Sequence, residues 1–270
     1  MPRRATILGA TGFVGKRLHA RLASDGWEVF APAKGDPEVF SRDLGTVFYC
    51  AGLTADYDAR PFDTVAAHAT LVSELIRAGR FERLIYLSST RLYDGMAKAT
   101  VDETQPLVFD PADPRRVYDL SKALGENLTL ARTGGRGGVA RLANVYDWED
   151  GAPGFLSAWL IAARDGGDLT LDSSPHVARD YIHLDDVVAA LVVMADGEAP
   201  GIVNVASGEL VTNAQIAQVF AKAGRRVTFT GAARPPAPPN ASVARLAALG
   251  VRPASVKDVV ARYLGEGTRA

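Results

Sequence analysis

The sequence has a single cysteine, Cys50, so no internal disulfide can form and no thiolate cluster can hold a metal. Its four histidines show no ligand spacing, and no metal site is expected. Long apolar runs are missing as well. The longest, Val187 to Ala195, falls far short of the roughly 20 residues that a bilayer-spanning helix needs, so no membrane partner is expected. An excess of one charge is also absent: 30 basic against 31 acidic residues leave a net charge of -1. A dedicated nucleic-acid binder needs a strong basic field, and that partner class is set aside. Met1-Pro2-Arg3-Arg4 leads into an apolar stretch that breaks at Gly9, which does not read as a signal peptide. The expectation is a reducing, cytoplasmic location, where the sequons at Asn127 and Asn240 carry no meaning. No collagen-like or coiled-coil period is present.

What is there is a chain of 270 residues, 47% hydrophobic, with 26 glycines and 15 prolines. That is long enough to bury a full core and too apolar for a disordered protein. Ala5-Thr6-Ile7-Leu8 has strand length, and Gly9-Ala10-Thr11-Gly12-Phe13-Val14-Gly15 follows at once. Lys16 to Ala23 then shows helical spacing, with Leu18 and Leu22 on one face. A strand, a glycine turn and a helix form the arrangement in which a pyrophosphate approaches the backbone and meets free N–H groups. Taken alone, the same glycines also fit a plain tight turn. A Walker loop is disfavoured, because positions 10 and 17 carry Ala10 and Arg17 rather than Gly and Ser or Thr.

Trp27 to Ala31 reads as a second strand. Where an acid would hold the adenosine 2′-hydroxyl stands Ala33, with Lys34 next. A lysine there can pair with a 2′-phosphate, a lean toward NADP over NAD, or it can be a solvated loop residue. Val47 to Gly52 is the next buried strand, and it comes so soon that a crossover helix, with or without a strand, must be shortened. Further on, the spacing predicts a helix over 63–78, a strand at Leu84 to Leu87 and a helix over 114–131. A strand at Val139 to Leu142 follows. Strands alternating with helices predict an α/β fold with a parallel sheet covered on both faces. Past about residue 145 glycine and proline punctuate the chain, at 151–154, 166–167 and 200–201, and Arg234 to Pro239 reads as an extended loop. The expected division is a mainly dinucleotide-binding portion, 1–145, and a mainly substrate-binding portion, 146–270, interleaved with the sheet. The tail beyond Gly265 is expected to fray.

Tyr118 and Lys122 lie four apart, on one face of the predicted helix. A free tyrosine, with a pKa near about 10, is a poor proton donor or acceptor at neutral pH, and a nearby ammonium brings it closer. Ser89, at a strand end, can hydrogen-bond the same substrate oxygen. A Tyr-xxx-Lys pair alone is commonplace; its weight comes from following the glycine turn and Ser88-Ser89-Thr90.

Together with Tyr49-Cys50-Ala51-Gly52, Arg91-Leu92-Tyr93, Asp102-Glu103, Gly125-Glu126, Arg141 to Tyr146, Arg179 to Asp186 and Asn204 to Gly208, these segments resemble the extended short-chain dehydrogenase/reductase family, in its sugar-nucleotide epimerase/dehydratase branch. The resemblance implies a Rossmann-like doubly wound sheet with a small C-terminal substrate-binding subdomain. It implies an NAD(P) site at Gly9, Thr11, Gly12, Phe13, Val14, Gly15, Ala51 and Gly52, with Lys34 on the adenosine side. Ser89, Tyr118 and Lys122 become the catalytic set, Tyr118 and Lys122 also touching cofactor, with Thr90 as the fallback hydroxyl and a substrate contact. Asn144, Arg179 and Arg234 become contacts to a nucleotide-sugar diphosphate. Arg179 can instead pair with Asp185 or Asp186, and Asn144 can serve a turn. His68 is read as a core or surface histidine near the cofactor. The implied activity is hydride transfer at a ring carbinol, C4, of a nucleotide-linked sugar, by an epimerase. The alternatives are an NADPH-dependent ketoreductase of a keto-sugar nucleotide or another carbonyl compound, and a non-catalytic cofactor-binding protein. A homodimer through the Tyr118 helix is the implied assembly. Thr90 and Arg91 stand where dehydrating members carry acids, which argues against water elimination.

Overall fold

The computed structural model describes residues 2–53, 57–113, 116–164, 168–197 and 201–266. The expectations at 166–167, at the start of the 114–131 helix and in the last four residues lie outside them.

The apolar runs form the sheet. Strands β1 (Arg4–Leu8), β2 (Glu28–Phe30), β3 (Thr46–Tyr49) and β4 (Arg83–Ser89) come first, with α1 (Phe13–Ser24) between the first two. A helix α2 (Pro61–Val65) runs through a π turn at Ala66–Thr70 into α3 (Leu71–Ala78) between β3 and β4. After β4 come a 3-10 turn at Thr90–Tyr93, the short β5 (Thr100–Val101), α4 (Val117–Arg132) and β6 (Gly137–Leu142). The C-terminal portion holds β7 (Asn144–Tyr146), α5 (Phe155–Arg164), β8 (Leu169–Leu171), β9 (Ala178–His183), α6 (Leu184–Ala195), β10 (Gly201–Val205) and β11 (Leu210–Thr212). It ends with α7 (Asn213–Lys222), β12 (Val227–Phe229), β13 (Asn240–Ala241), α8 (Ala244–Ala248) and α9 (Val256–Glu266).

Six strands make one parallel sheet in the order β10-β6-β4-β3-β1-β2, with helices on both faces: a doubly wound sheet of the Rossmann type. The near-continuous Val, Ile and Leu runs of its central strands follow from burial on both sides. One face packs Leu18 and Leu22 of α1 and Val187, Val188 and Leu191 of α6 against Ile7, Phe48 and Ile85. The other packs Val72 and Leu75 of α3 against Val47, Leu84 and Tyr86. The run Val187 to Ala195 is thereby a buried helix, and no helix among the described residues is long and apolar enough to cross a membrane.

The shortening between β2 and β3 is resolved as one 3-10 turn, Pro37–Phe40, with β2 left at the sheet edge. Residues 146–264 gather a third core around Trp159, Leu160, Tyr181, Ile216 and Phe220, and β11-β9-β7 form a separate three-stranded sheet.

The register positions the site. Leu8 pairs with Tyr49 and Tyr49 with Tyr86, so β4 runs three residues beyond β3 before ending at Ser89. Ser89, in turn, is level with Leu142 at the end of β6.

Candidate active site

β1 ends in Gly9, at φ +88°, and the Gly12 amide donates to the Gly9 carbonyl at 3.0 Å to close the turn. Gly12 caps α1 with no side-chain hydrogen bond and no acid in the first turn, which leaves the helix N-terminal amides open to an anion. A Cβ on Gly15 would stand 2.2 Å from the Gly9 oxygen, so the close approach of helix and turn requires glycine. Gly9 abuts Cys50 and Ala51 at the end of β3, and Gly52 follows beside His68 and Lys122. Gly9, Thr11, Gly12, Phe13, Val14 and Gly15 thus form the turn and the first helical turn at the end of β1, set against Cys50, Ala51 and Gly52 after β3, where the strand order reverses between β1 and β3. This backbone cradle fits a dinucleotide pyrophosphate.

β2 is the edge strand of the sheet. Lys34 is exposed beyond β2. The nearby carboxylates are engaged elsewhere: Asp36 accepts from the Glu38 amide at 2.9 Å, and Asp43 pairs with Arg4 at 2.6 Å.

Tyr118 lies in the first turn of α4, 5% exposed, with Lys122 one turn on. Burial raises the phenol above its ordinary pKa; Ser89, as a hydrogen-bond partner, and the Arg91 guanidinium act against that rise. Lys122 donates from Nζ to the Leu87 carbonyl at 2.8 Å, and its burial pulls its pKa down to about 7 against the pull of Glu126 and Cys50. The leading charge acting in favour of a Tyr118 phenolate is therefore Arg91. Sequence reasoning had looked to Lys122.

His68, fully buried on the π turn, accepts from the Leu53 amide at Nε2 (3.3 Å), which puts its proton on Nδ1, facing Ser121 Oγ at 2.9 Å. Ser121 Oγ donates to the Tyr118 carbonyl. Burial and Lys122 push His68 down to about 3, so it is a neutral brace beneath Gly52 and the Tyr118 ring, 5.1 Å away.

A buried polar chain ties these elements together. Arg141 of β6 makes two hydrogen bonds to Glu126 of α4, at 2.9 and 2.6 Å, and one to Tyr93 at 2.7 Å. Tyr93 donates to Asn204, whose amide donates to Glu103. The motif residues Tyr93, Glu103, Glu126, Arg141 and Asn204 are thus the fastening of α4 to the sheet.

On the substrate side, Thr90 Oγ1 donates to the Leu142 carbonyl, and Asn144 starts β7 two residues later. Asn144 is exposed, and its Nδ2 donates to the Asp180 carbonyl at 2.9 Å, so the side chain fastens β7 to β9. Arg179 lies over the Phe155 ring at 5.0 Å, and its buried Nη1 has no hydrogen-bond partner. The alternative salt bridge is not formed: Asp185 pairs with Arg17, and Asp186 accepts from the Ala254 amide. Arg234 is exposed on the proline-rich loop, which Ser174 fastens through the Ala233 carbonyl to the segment leading into β9.

Sequence reasoning missed Tyr57, Arg116 and Asp119, and noted Arg91 only as a departure. The one local signal was Arg116 three residues before Asp119, the spacing of a helical ion pair.

A doubly wound sheet, an uncapped glycine turn and a Ser-Tyr-Lys set define an enzyme of the extended short-chain dehydrogenase/reductase type. The chain belongs to the NAD dependent epimerase/dehydratase family, whose model matches residues 5–206. It is 33% identical to dTDP-6-deoxy-L-talose 4-dehydrogenase (NAD(P)(+)) of Kitasatospora kifunensis, covering 81% of this chain and 78% of that protein. It is 28% identical to GDP-6-deoxy-D-mannose reductase of Pseudomonas aeruginosa, covering 77% and 76%. Among solved structures, MoeE5 in complex with UDP-glucose and NAD superposes with a TM-score of 0.79 at 22% identity, over 98% of each chain. RMD from Pseudomonas aeruginosa complexed with NADPH gives 0.74 at 24% identity, over 100% and 99%.

Proposed function

We propose that the protein is an NADP(H)-dependent 4-ketoreductase, or in reverse a 4-dehydrogenase, of a nucleotide-linked sugar. The observation that carries this is the convergence of Ser89, Tyr118 and Lys122 at the mouth of the glycine-turn crevice. Net oxidation or reduction is favoured over epimerisation by two further points. The relatives at 33% and 28% identity are named for a dehydrogenase and a reductase. The sheet ends at β2, so the adenosine end of the crevice is open to a cofactor that exchanges each turnover.

In the reductive direction Ser89 and Tyr118 hold the ketone oxygen between their hydroxyls, and Tyr118 passes its proton to that oxygen as the alkoxide forms. Lys122, held by the Leu87 carbonyl, turns its remaining donors to the nicotinamide ribose. The bound nicotinamide supplies the hydride. The glycine turn and the α1 N-terminus hold the pyrophosphate, and Lys34 takes the 2′-phosphate. Arg179, through its unpartnered Nη1, Asn144 and Arg234 meet the sugar nucleotide's diphosphate side, with Thr90 beside the sugar. The portion 1–145 holds the cofactor and 146–270 closes over the substrate. Exposed Leu120 and Leu124 of α4, beside Phe62 and Val65 of α2, form the face of a homodimer. A single thiol and a nicotinamide cofactor suit the cytoplasm.

The test is NADPH oxidation with dTDP- and GDP-linked 4-keto-6-deoxy sugars. Tyr118→Phe should lose about 10²- to 10⁴-fold in kcat. Full turnover by Tyr118→Phe would sink the catalytic assignment, and turnover of a simple carbonyl compound unaffected by added TDP or GDP would sink the nucleotide-sugar reading.

A further inference from the structure

Arg91 lies in the 3-10 turn that follows β4, and the structure builds a socket around it. Its guanidinium lies 5.0 Å from the Tyr118 ring centroid and 4.5 Å from that of Tyr57. The two rings are themselves 5.3 Å apart, and Arg91 has Tyr57 as a hydrogen-bond partner. Arg91 Nε stands 3.3 Å from Oδ1 of Asp119, a carboxylate with no exposed side-chain surface. The other oxygen of Asp119 accepts from Arg116 at 2.8 Å. A buried carboxylate is tolerated only when paired, and Asp119 fixes both guanidiniums. Arg116 also pairs with Asp113 at 3.4 Å, so two guanidiniums balance two carboxylates, and the guanidinium set against the phenol rings is that of Arg91, with 28% of its side chain exposed.

We propose that Arg91 is a positioning residue for Tyr118: clamped by Asp119 and Tyr57, it packs over the phenol ring and fixes both the ring's orientation and a positive charge against it. The groups facing Tyr118 leave this task to Arg91. Ser89 at the end of β4 offers a neutral hydroxyl. Tyr57 is a phenol, and His68 on the π turn is neutral. On α4 itself, Asp119 opposes phenolate formation and Lys122 is directed at the Leu87 carbonyl, while Arg116, just before the helix, is held by Asp119 and Asp113. An arginine in this socket cannot lose its proton at working pH, so the charge is constant where that of Lys122 is not.

The proposal rests on the reading of Tyr118 as the proton-transfer group, and a substrate-free measurement separates the two. Tyrosinate formation is followed by ultraviolet difference titration of the holoprotein with bound NADPH. The Tyr118→Phe form of each background is subtracted. In Arg91→Met, Tyr118 should ionise at a higher pH than in the wild type, while Arg91→Lys restores part of the difference. NADPH affinity should stay within about twofold, because Arg91 is outside the cofactor cradle. In the oxidative direction, with the 4-hydroxy sugar nucleotide and NADP+, where Tyr118 accepts the proton, kcat of Arg91→Met at pH 7 should fall about tenfold and recover above about pH 9, with KM little changed. Arg91→Gln, which keeps planar polar contacts to Asp119 and Tyr57, carries the same test if the apolar replacement does not fold. An unchanged Tyr118 titration in Arg91→Met or Arg91→Gln overturns the proposal. Full turnover by Tyr118→Phe would instead overturn the reading beneath it.

Discussion

Replacing Lys122 with Met should make the cofactor-free protein more stable and less active. Lys122 is 4% exposed, and burial lowers its pKa from 10.5 to about 7. The unfolded chain therefore binds this proton more tightly than the folded one, and wild-type stability rises as the pH climbs from 7 toward 10.5. Relative to a side chain that never charges, the buried lysine costs about 4 kcal/mol at pH 7 and about 2 kcal/mol at pH 9. Methionine fills the volume of the lysine stem without opening a cavity. It forgoes the hydrogen bond to the Leu87 carbonyl, worth about 1 kcal/mol. The net gain is about 3 kcal/mol at pH 7, shrinking to about 1 kcal/mol at pH 9. Urea unfolding of the two cofactor-free proteins at both pH values measures it. A variant no more stable than wild type at pH 7, or a gap that does not narrow at pH 9, would refute the reasoning. The expected loss of turnover in the stabilised variant identifies Lys122 as a residue kept for function.

Arg141→Leu strands the Glu126 carboxylate in the core and should cost about 3–5 kcal/mol, whereas the Glu126→Leu/Arg141→Leu pair should cost much less; denaturant midpoints of the three proteins check this. Lys34→Ala should weaken NADPH binding about tenfold and leave NADH binding unchanged, read by fluorescence titration. Leu124→Glu, which places a charge on the exposed apolar face of α4, should convert a dimer to a monomer in light scattering.

What could be read from the chain was local. The glycine turn, the apolar strands and the four-residue interval from Tyr118 to Lys122 each express a backbone or periodic constraint within a few residues. The lost crossover between Phe30 and Thr46 was legible by counting, because too few residues remain for a helix and a further strand. The π turn at 66–70 was not legible. Its cause is tertiary: Tyr86 donates to the His68 carbonyl, and the His68 ring reaches Ser121 on another helix. The Arg91–Asp119–Arg116 cluster joins a turn after β4 to the start of α4, a pairing that no spacing reveals. The third core was hidden for the same reason: β7 and β11 are three residues each, and they join β9 in a sheet only when segments far apart in the chain meet.

The decisive measurement is to denature freshly purified protein, identify any released nucleotide by mass spectrometry, and titrate the nucleotide-free protein with NADPH. An exchanging reductase predicts little retained NAD and reversible, saturable NADPH binding. One NAD released per chain, with no exchange against NADPH, would contradict it and point to an epimerase that recycles its cofactor in place.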